Sequence, residues 1–161
     1  MVLAVYAGTF DPVTKGHLNI VERAAAMFDR LIIGVFDTPS KTLLFSTEER
    51  MQLFQGAMGH MPNVEVRSYA GLTVDWANDI GATAMVRGLR SITDLDYEAA
   101  MVMMNRRLRP RIDTIFLYTS LEYQFVSSTL IKEVARYRGD INDLVPQNVA
   151  AALQEKFRLA K

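Results

Sequence analysis

The amino-acid sequence predicts an α/β fold: a single Rossmann-like doubly wound domain over residues 1–161, with a five-stranded parallel sheet and helices on both faces. Three observations predict it. Short runs rich in Val, Ile and Leu alternate with longer segments of helical period, the pattern of successive βα units. Several of those short runs are apolar throughout, as strands covered on both faces must be. A chain of 161 residues is the size of one domain, and no repeat, low-complexity tract or linker divides it.

The first strand is predicted at Val2 to Tyr6. It meets Gly8 and Pro12 without a basic flank or a long apolar stretch, so the start of the chain reads as neither signal peptide nor membrane span. A helix follows, because His17, Ile20, Val21, Ala24, Ala25 and Phe28 fall on one stripe. Leu31 to Phe36 gives the second strand, and Thr47 with Glu48 and Glu49 opens a helix whose acidic first turn suits the macrodipole. The third strand, Val64 to Arg67, is more polar and belongs near an edge. Leu72 to Ile80 forms a short helix, Thr83 to Arg87 the fourth strand, and Thr93 to Leu108 a long helix stopped by Pro110. Met101, Met103 and Met104 on that helix suggest either core filling or a subunit interface, and core filling is the expectation. Thr114 to Tyr118 is the fifth strand, read with the second and fourth as covered on both faces. Ser127 or Ser128 caps the next helix, and Asn142 to Leu159, with Pro146 near a helix start, closes the chain.

Composition narrows the chemistry. Eighteen Lys plus Arg balance eighteen Asp plus Glu, so the chain lacks the basic footprint of a nucleic-acid binder. Without cysteine there are no disulfides, thiolate metal sites or cysteine nucleophiles, and with two histidines no all-His metal centre is expected.

In a doubly wound sheet, ligands bind outside the carboxyl ends of the strands, so the loops there carry the candidate site. After the first strand comes Gly8-Thr9-Phe10-Asp11-Pro12, with Gly16-His17 where the helix begins. Glycines admit close backbone approach, and free amides at a helix start cradle phosphate. Beside that positive dipole end His17 is expected to stay neutral and donate one hydrogen bond to a phosphoryl oxygen. After the second strand Lys41 places a cation, and after the fourth Arg87-Gly88-Leu89-Arg90 offers two planar guanidinium forks around a glycine. After the fifth, Ser127, Ser128 and Thr129 stand in a row where capping accounts for one hydroxyl.

The stretch from Gly8 to His17, with Thr14, Gly16 and His17 in a T-x-G-H type signature, resembles the nucleotidyltransferase superfamily, kin to class I aminoacyl-tRNA synthetases. Nearly the whole chain, through Lys41, Phe45, the Thr47-x-Glu49-Arg50 opening and Arg87 to Arg90, is similar to bacterial phosphopantetheine adenylyltransferases. Leu43 and Ala7 stand where that family usually has proline, and Thr129 where it usually has serine.

The resemblance implies that ATP and 4′-phosphopantetheine give dephospho-coenzyme A and pyrophosphate, with Mg²⁺ carried on the phosphates, coenzyme A as a feedback ligand, and a homohexamer in the cytoplasm. It assigns Thr9, Phe10, His17, Gly88, Leu89, Arg90, Glu98 and the run Tyr123, Gln124, Phe125, Val126, Ser127, Ser128 and Thr129 to ATP. Thr9, Lys41, Thr73 and Arg87 fall to the acceptor. The expected catalytic set is His17, Lys41, Thr9 and Arg90. With no protein nucleophile evident, the expected reaction is direct in-line attack, aided by alignment and charge stabilisation.

Three alternatives are weighed. Adenylyl or cytidylyl transfer to another small phosphorylated acceptor fits the same fold. A nicotinamide-dependent oxidoreductase needs a Gly-x-Gly-x-x-Gly loop that is absent after the first strand, although Asp37 follows the second. A non-catalytic nucleotide sensor would be favoured by loss of His17 or the arginines, and both are kept.

Overall fold

The structure, a computed structural model, describes residues 1–37, 42–59 and 61–159. Five strands alternate with helices in the predicted order: β1 Leu3–Gly8, α1 Lys15–Met27, β2 Arg30–Phe36, α2 Thr47–Met58, β3 Val64–Tyr69, α3 Thr73–Asp79, β4 Ala84–Leu89, α4 Ile92–Leu108 and β5 Asp113–Tyr118. A 3₁₀ turn at Leu121–Tyr123, α5 Ser128–Arg136 and α6 Gln147–Leu159 complete it. The strands are parallel in the order β3-β2-β1-β4-β5, with Val5 of β1 registered between Ile32 of β2 and Met85 of β4. The order reverses between β1 and β4, so the crevice for a ligand opens there.

Alternation along the strands sends side chains to two cores. On one face Ala4, Tyr6, Ile33, Val35 and Val86 pack with Ile20, Val21, Phe54, Ile131 and Leu153 of α1, α2, α5 and α6. On the other face Val5, Ile32 and Met85 meet Val74 and Ala77 of α3. Each fully buried aliphatic side chain contributes about 1.5–3 kcal/mol relative to exposure.

Three expectations are corrected. The fourth helix is not a core helix: none of its residues is buried, and Met101, Met103 and Met104 are exposed. β5 is an edge strand with one neighbour, buried only at Leu117, so it is not covered on both faces. Its apolar composition misled because an apolar run reports what a surface wants to bury, not which element buries it. The last helix begins at Gln147 rather than Asn142, because residues 141–145 form a turn in which Leu144 N–H donates to Ile141 O at 2.9 Å.

Candidate active site

The β1–α1 loop is shaped from below. Phe10 has a left-handed backbone, φ 50°, which costs a non-glycine residue roughly 1–2 kcal/mol. Packing holds it there: the ring is buried and meets Tyr6, His17 and Phe54 edge-on at centroid distances of 5.3, 5.1 and 4.8 Å. Gly8 is required by that packing, since a Cβ on it would lie 2.9 Å from Phe10 Cζ.

Two buried ionic groups then fix the loop to its neighbours. The Asp11 carboxylate accepts from Leu44 N–H at 3.0 Å, Phe45 N–H at 2.9 Å and Lys132 Nζ of α5 at 2.7 Å. Arg50, 1% exposed, donates to Thr9 O, Phe36 O, Phe45 O and the Thr47 hydroxyl, joining the ends of β1 and β2 to the start of α2. Sequence reasoning passed over Asp11 and Lys132, which lie 121 positions apart.

At the start of α1, Thr14 caps the helix and His17 completes a reciprocal capping box. The Thr14 N–H donates to His17 Nδ1 at 3.0 Å, so the single proton of the neutral ring sits on Nε2. Burial, and after it the Arg90 guanidinium, lower the pKa of His17 to about 4. The imidazole is therefore a neutral donor at physiological pH.

Across the switch point Arg87, at the carboxyl end of β4, donates to Ala7 O at 2.9 Å and forms a two-pronged pair with Glu98 of α4, Nε to Oε2 2.8 Å and Nη2 to Oε1 2.5 Å. Burial opposes the Arg87 charge, but the Glu98 pair more than offsets it and holds the pKa above the ordinary value. Arg90 rests between Val126 O and the Asp94 carboxylate. His17, Arg87, Arg90, Glu98 and the start of α5 line one cleft of about 420 Å³.

A family model described as cytidylyltransferase-like matches residues 5–134. A protein of Alkaliphilus oremlandii named phosphopantetheine adenylyltransferase is 49% identical over 157 residues, spanning 98% of this chain and 100% of that protein. The chain belongs to the phosphopantetheine adenylyltransferase family. A second relative of that name, from Heliobacterium modesticaldum, is 46% identical over 98% of this chain and 94% of its own length. A solved structure from Vibrio parahaemolyticus, provisionally assigned as a nicotinate-nucleotide adenylyltransferase, superposes with a TM-score of 0.72 over 98% of this chain and 95% of that one. At 19% identity it speaks to the fold alone.

Of the residues singled out in this family member, Phe10, His17, Arg87, Gly88, Arg90, Glu98, Tyr123, Val126, Ser127 and Ser128 line the cleft. The hydroxyls of the α5 start divide: Ser127 caps the helix through Leu130 N–H, Ser128 donates to Pro12 O at 2.8 Å, and Thr129 lines a separate hollow beside Leu44 and Lys132. Leu89 is buried, so only its backbone could serve a ligand. Thr9, Gln124 and the largely exposed Phe125 are not among the cleft-lining residues. Thr73 opens α3 beyond β3, its hydroxyl 2.9 Å from the Tyr69 hydroxyl, and does not line this cleft. Lys41 lies outside the described residues. Thr14 and Gly16 of the signature line it too, whereas sequence reasoning missed Tyr6, Asp94 and Thr119, which also line it. A polar residue near the end of an apolar strand was the available signal for Tyr6.

Proposed function

We propose that this chain transfers the adenylyl group of ATP to 4′-phosphopantetheine, giving dephospho-coenzyme A and pyrophosphate. One observation carries the reading beyond family membership: a neutral Nε2–H donor and two guanidinium groups share a cleft at the sheet's switch point. That set suits a polyanion whose charge shifts during reaction.

In this mechanism an oxygen of the acceptor phosphate forms a bond to the α-phosphorus of ATP in line with the departing β-phosphate. The bond to the α,β-bridging oxygen breaks and its electron pair leaves with pyrophosphate. The acceptor phosphate is already ionised, so no strong base is needed. His17 donates to an α-phosphate oxygen as negative charge gathers there, with Thr9 assisting. Arg90 and the α5 start, with Ser127 and Ser128, receive the β- and γ-phosphates, while Phe10, Gly88, the Leu89 backbone, Glu98, Tyr123 and Val126 contact the rest of ATP. Arg87, Thr73 and Lys41 serve the acceptor, and Lys41 bridges it to the α-phosphate.

The cleft's donor set of amides, hydroxyls and guanidinium groups, with Glu98 engaged by Arg87, fits phosphate better than a bare metal. Among the described residues no cluster of three His, Cys, Asp or Glu could hold an ion. Mg²⁺ would accordingly be carried on the phosphates and would neutralise the departing pyrophosphate.

No helix among the described residues is long and apolar enough to cross a membrane, which accords with a cytoplasmic enzyme. The apolar outer face of α4, with Ile92 75% and Met103 76% exposed, suits a subunit contact, and we read the assembly as a homohexamer. Coenzyme A, which repeats the chemistry of the product, would act as a feedback ligand at the same cleft.

Pyrophosphate release measured with ATP and a panel of acceptors tests the reading. Release with phosphopantetheine is expected. Release with nicotinamide mononucleotide or glycerol phosphate and none with phosphopantetheine would overturn it in favour of another acceptor.

A further inference from the structure

Tyr6 carries a hydroxyl that no described residue engages, on a ring that is otherwise packed into the core and lines the cleft. Tyr6 lies near the carboxyl end of β1, registered against Val86 of β4, and is 5% exposed. Its ring packs edge-on against Phe10 at 5.3 Å, in the core that supports the β1–α1 loop. The residue also lines the 420 Å³ cleft. Among the described residues no hydrogen bond reaches its oxygen; the influences upon it are burial first, then the charges of Arg87, Arg90 and Glu98. Burial raises its pKa above the ordinary phenol range, so it is a neutral donor at every working pH.

A largely buried tyrosine usually turns its hydroxyl to a hydrogen-bond partner, and the opening left to this one is the cleft itself. Phenylalanine would serve the packing against Phe10 as well. Gly88 supports the same view: a Cβ there would stand 3.4 Å from the Tyr6 oxygen and 3.1 Å from Ile20 Cγ1, so the glycine keeps the space beside the hydroxyl clear.

We infer that the Tyr6 hydroxyl donates a hydrogen bond to a phosphate oxygen of bound substrate, as a further contact on the floor of the cleft between the ends of β1 and β4. The inference rests on the functional reading above. The oxygen belongs either to ATP or to the acceptor, since both bring phosphate to this cleft. Arg87 and Arg90 supply charge that draws the phosphate in, and Tyr6 supplies a directed donor that costs no proton.

Tyr6→Phe tests this while keeping the ring. In the full-length chain, kcat/KM for pyrophosphate release should fall about tenfold to hundredfold, the loss expected for one hydrogen bond to a charged group. The thermal midpoint should not decrease. Calorimetric titration with ATP and, separately, with phosphopantetheine distinguishes the sources, because the substrate whose affinity weakens is the one contacted. A fall in kcat with both affinities kept assigns the bond to the transferring phosphoryl group. Unchanged rates and affinities would overturn the inference, as would a rate loss matched by loss of thermal stability. If the wild-type chain releases no pyrophosphate, the functional reading fails; ATP titration of the two chains still reads the tyrosine, and equal affinities would then overturn it too.

Discussion

Lys132 on α5 places its ammonium 2.7 Å from the carboxylate of Asp11, which is itself 2% exposed beneath the β1–α1 loop. The same carboxylate holds the Leu44 and Phe45 amides, so one side chain ties together three segments of the chain. Asp11→Ala strips all three donors of their acceptor and is expected to destabilise the fold by about 3 kcal/mol. Lys132→Met leaves the two amides satisfied but removes the cation from beside the carboxylate, and because that ammonium is a quarter exposed it should cost less, about 1–2 kcal/mol. Urea unfolding of the two variants checks the ranking, and an equal or reversed order would refute the view that the carboxylate is the hub.

His17 gives a prediction in rate and another in stability. His17→Ala should lower kcat on the order of a hundredfold while ATP affinity changes little, since a donor matched to developing charge acts on the transition state. An unimpaired turnover number rejects the role.

The stability effect follows from the lowered pKa. The unfolded chain takes up a proton on this ring near 6.5 and the folded chain only near 4. Between those values the unfolded state binds more protons, so acidification favours unfolding, and above about pH 7 the effect vanishes. Thermal melts from pH 7.5 to 4.5 should show wild type losing about 1–3 kcal/mol more than His17→Gln. Parallel curves for the two chains would contradict a neutral buried imidazole.

The paired prongs between Arg87 and Glu98 set the guanidinium plane at the cleft. Glu98→Ala leaves Arg87 with Ala7 O as its remaining acceptor and frees its orientation. The KM for phosphopantetheine is expected to rise about tenfold, the equivalent of one charged hydrogen bond partly screened by solvent. Initial-rate measurements with each substrate varied in turn provide the check, and a KM for phosphopantetheine that stays put would count against Arg87 as its anchor.

On α4 the exposed methionines make the assembly testable. Met103→Glu with Met104→Glu puts two charges on an apolar face and should convert the homohexamer proposed above to smaller species in analytical ultracentrifugation. Wild type sedimenting as a monomer would remove the basis for this.

Much of the fold was legible because period and length separate strands from helices in this chain. Each predicted strand overlaps an observed one, and the Gly8–His17, Arg87–Arg90 and Ser127–Ser128 segments meet at one cleft as loops on one sheet edge should. Burial on α4 was not legible. Methionines that cover a core and methionines that await a neighbour look alike in a sequence. Nor could spacing reveal that Glu98 turns back to Arg87, or that Asp11 meets Lys132, because both pairs exist only after the helices have crossed the sheet. The two hydroxyls of Ser127 and Ser128 illustrate a finer limit: the run of residues was visible, the division of labour between cap and loop brace was not.

The ring of Phe10 touches Phe54 of α2 on one side and His17 on the other. Catalytic geometry here is thereby mortgaged to the interior: trimming position 54, a residue with no access to solvent, would loosen the wedge that keeps position 10 in its left-handed twist. Lesions deep in the oily layer should then surface as sluggish chemistry before they surface as unfolding.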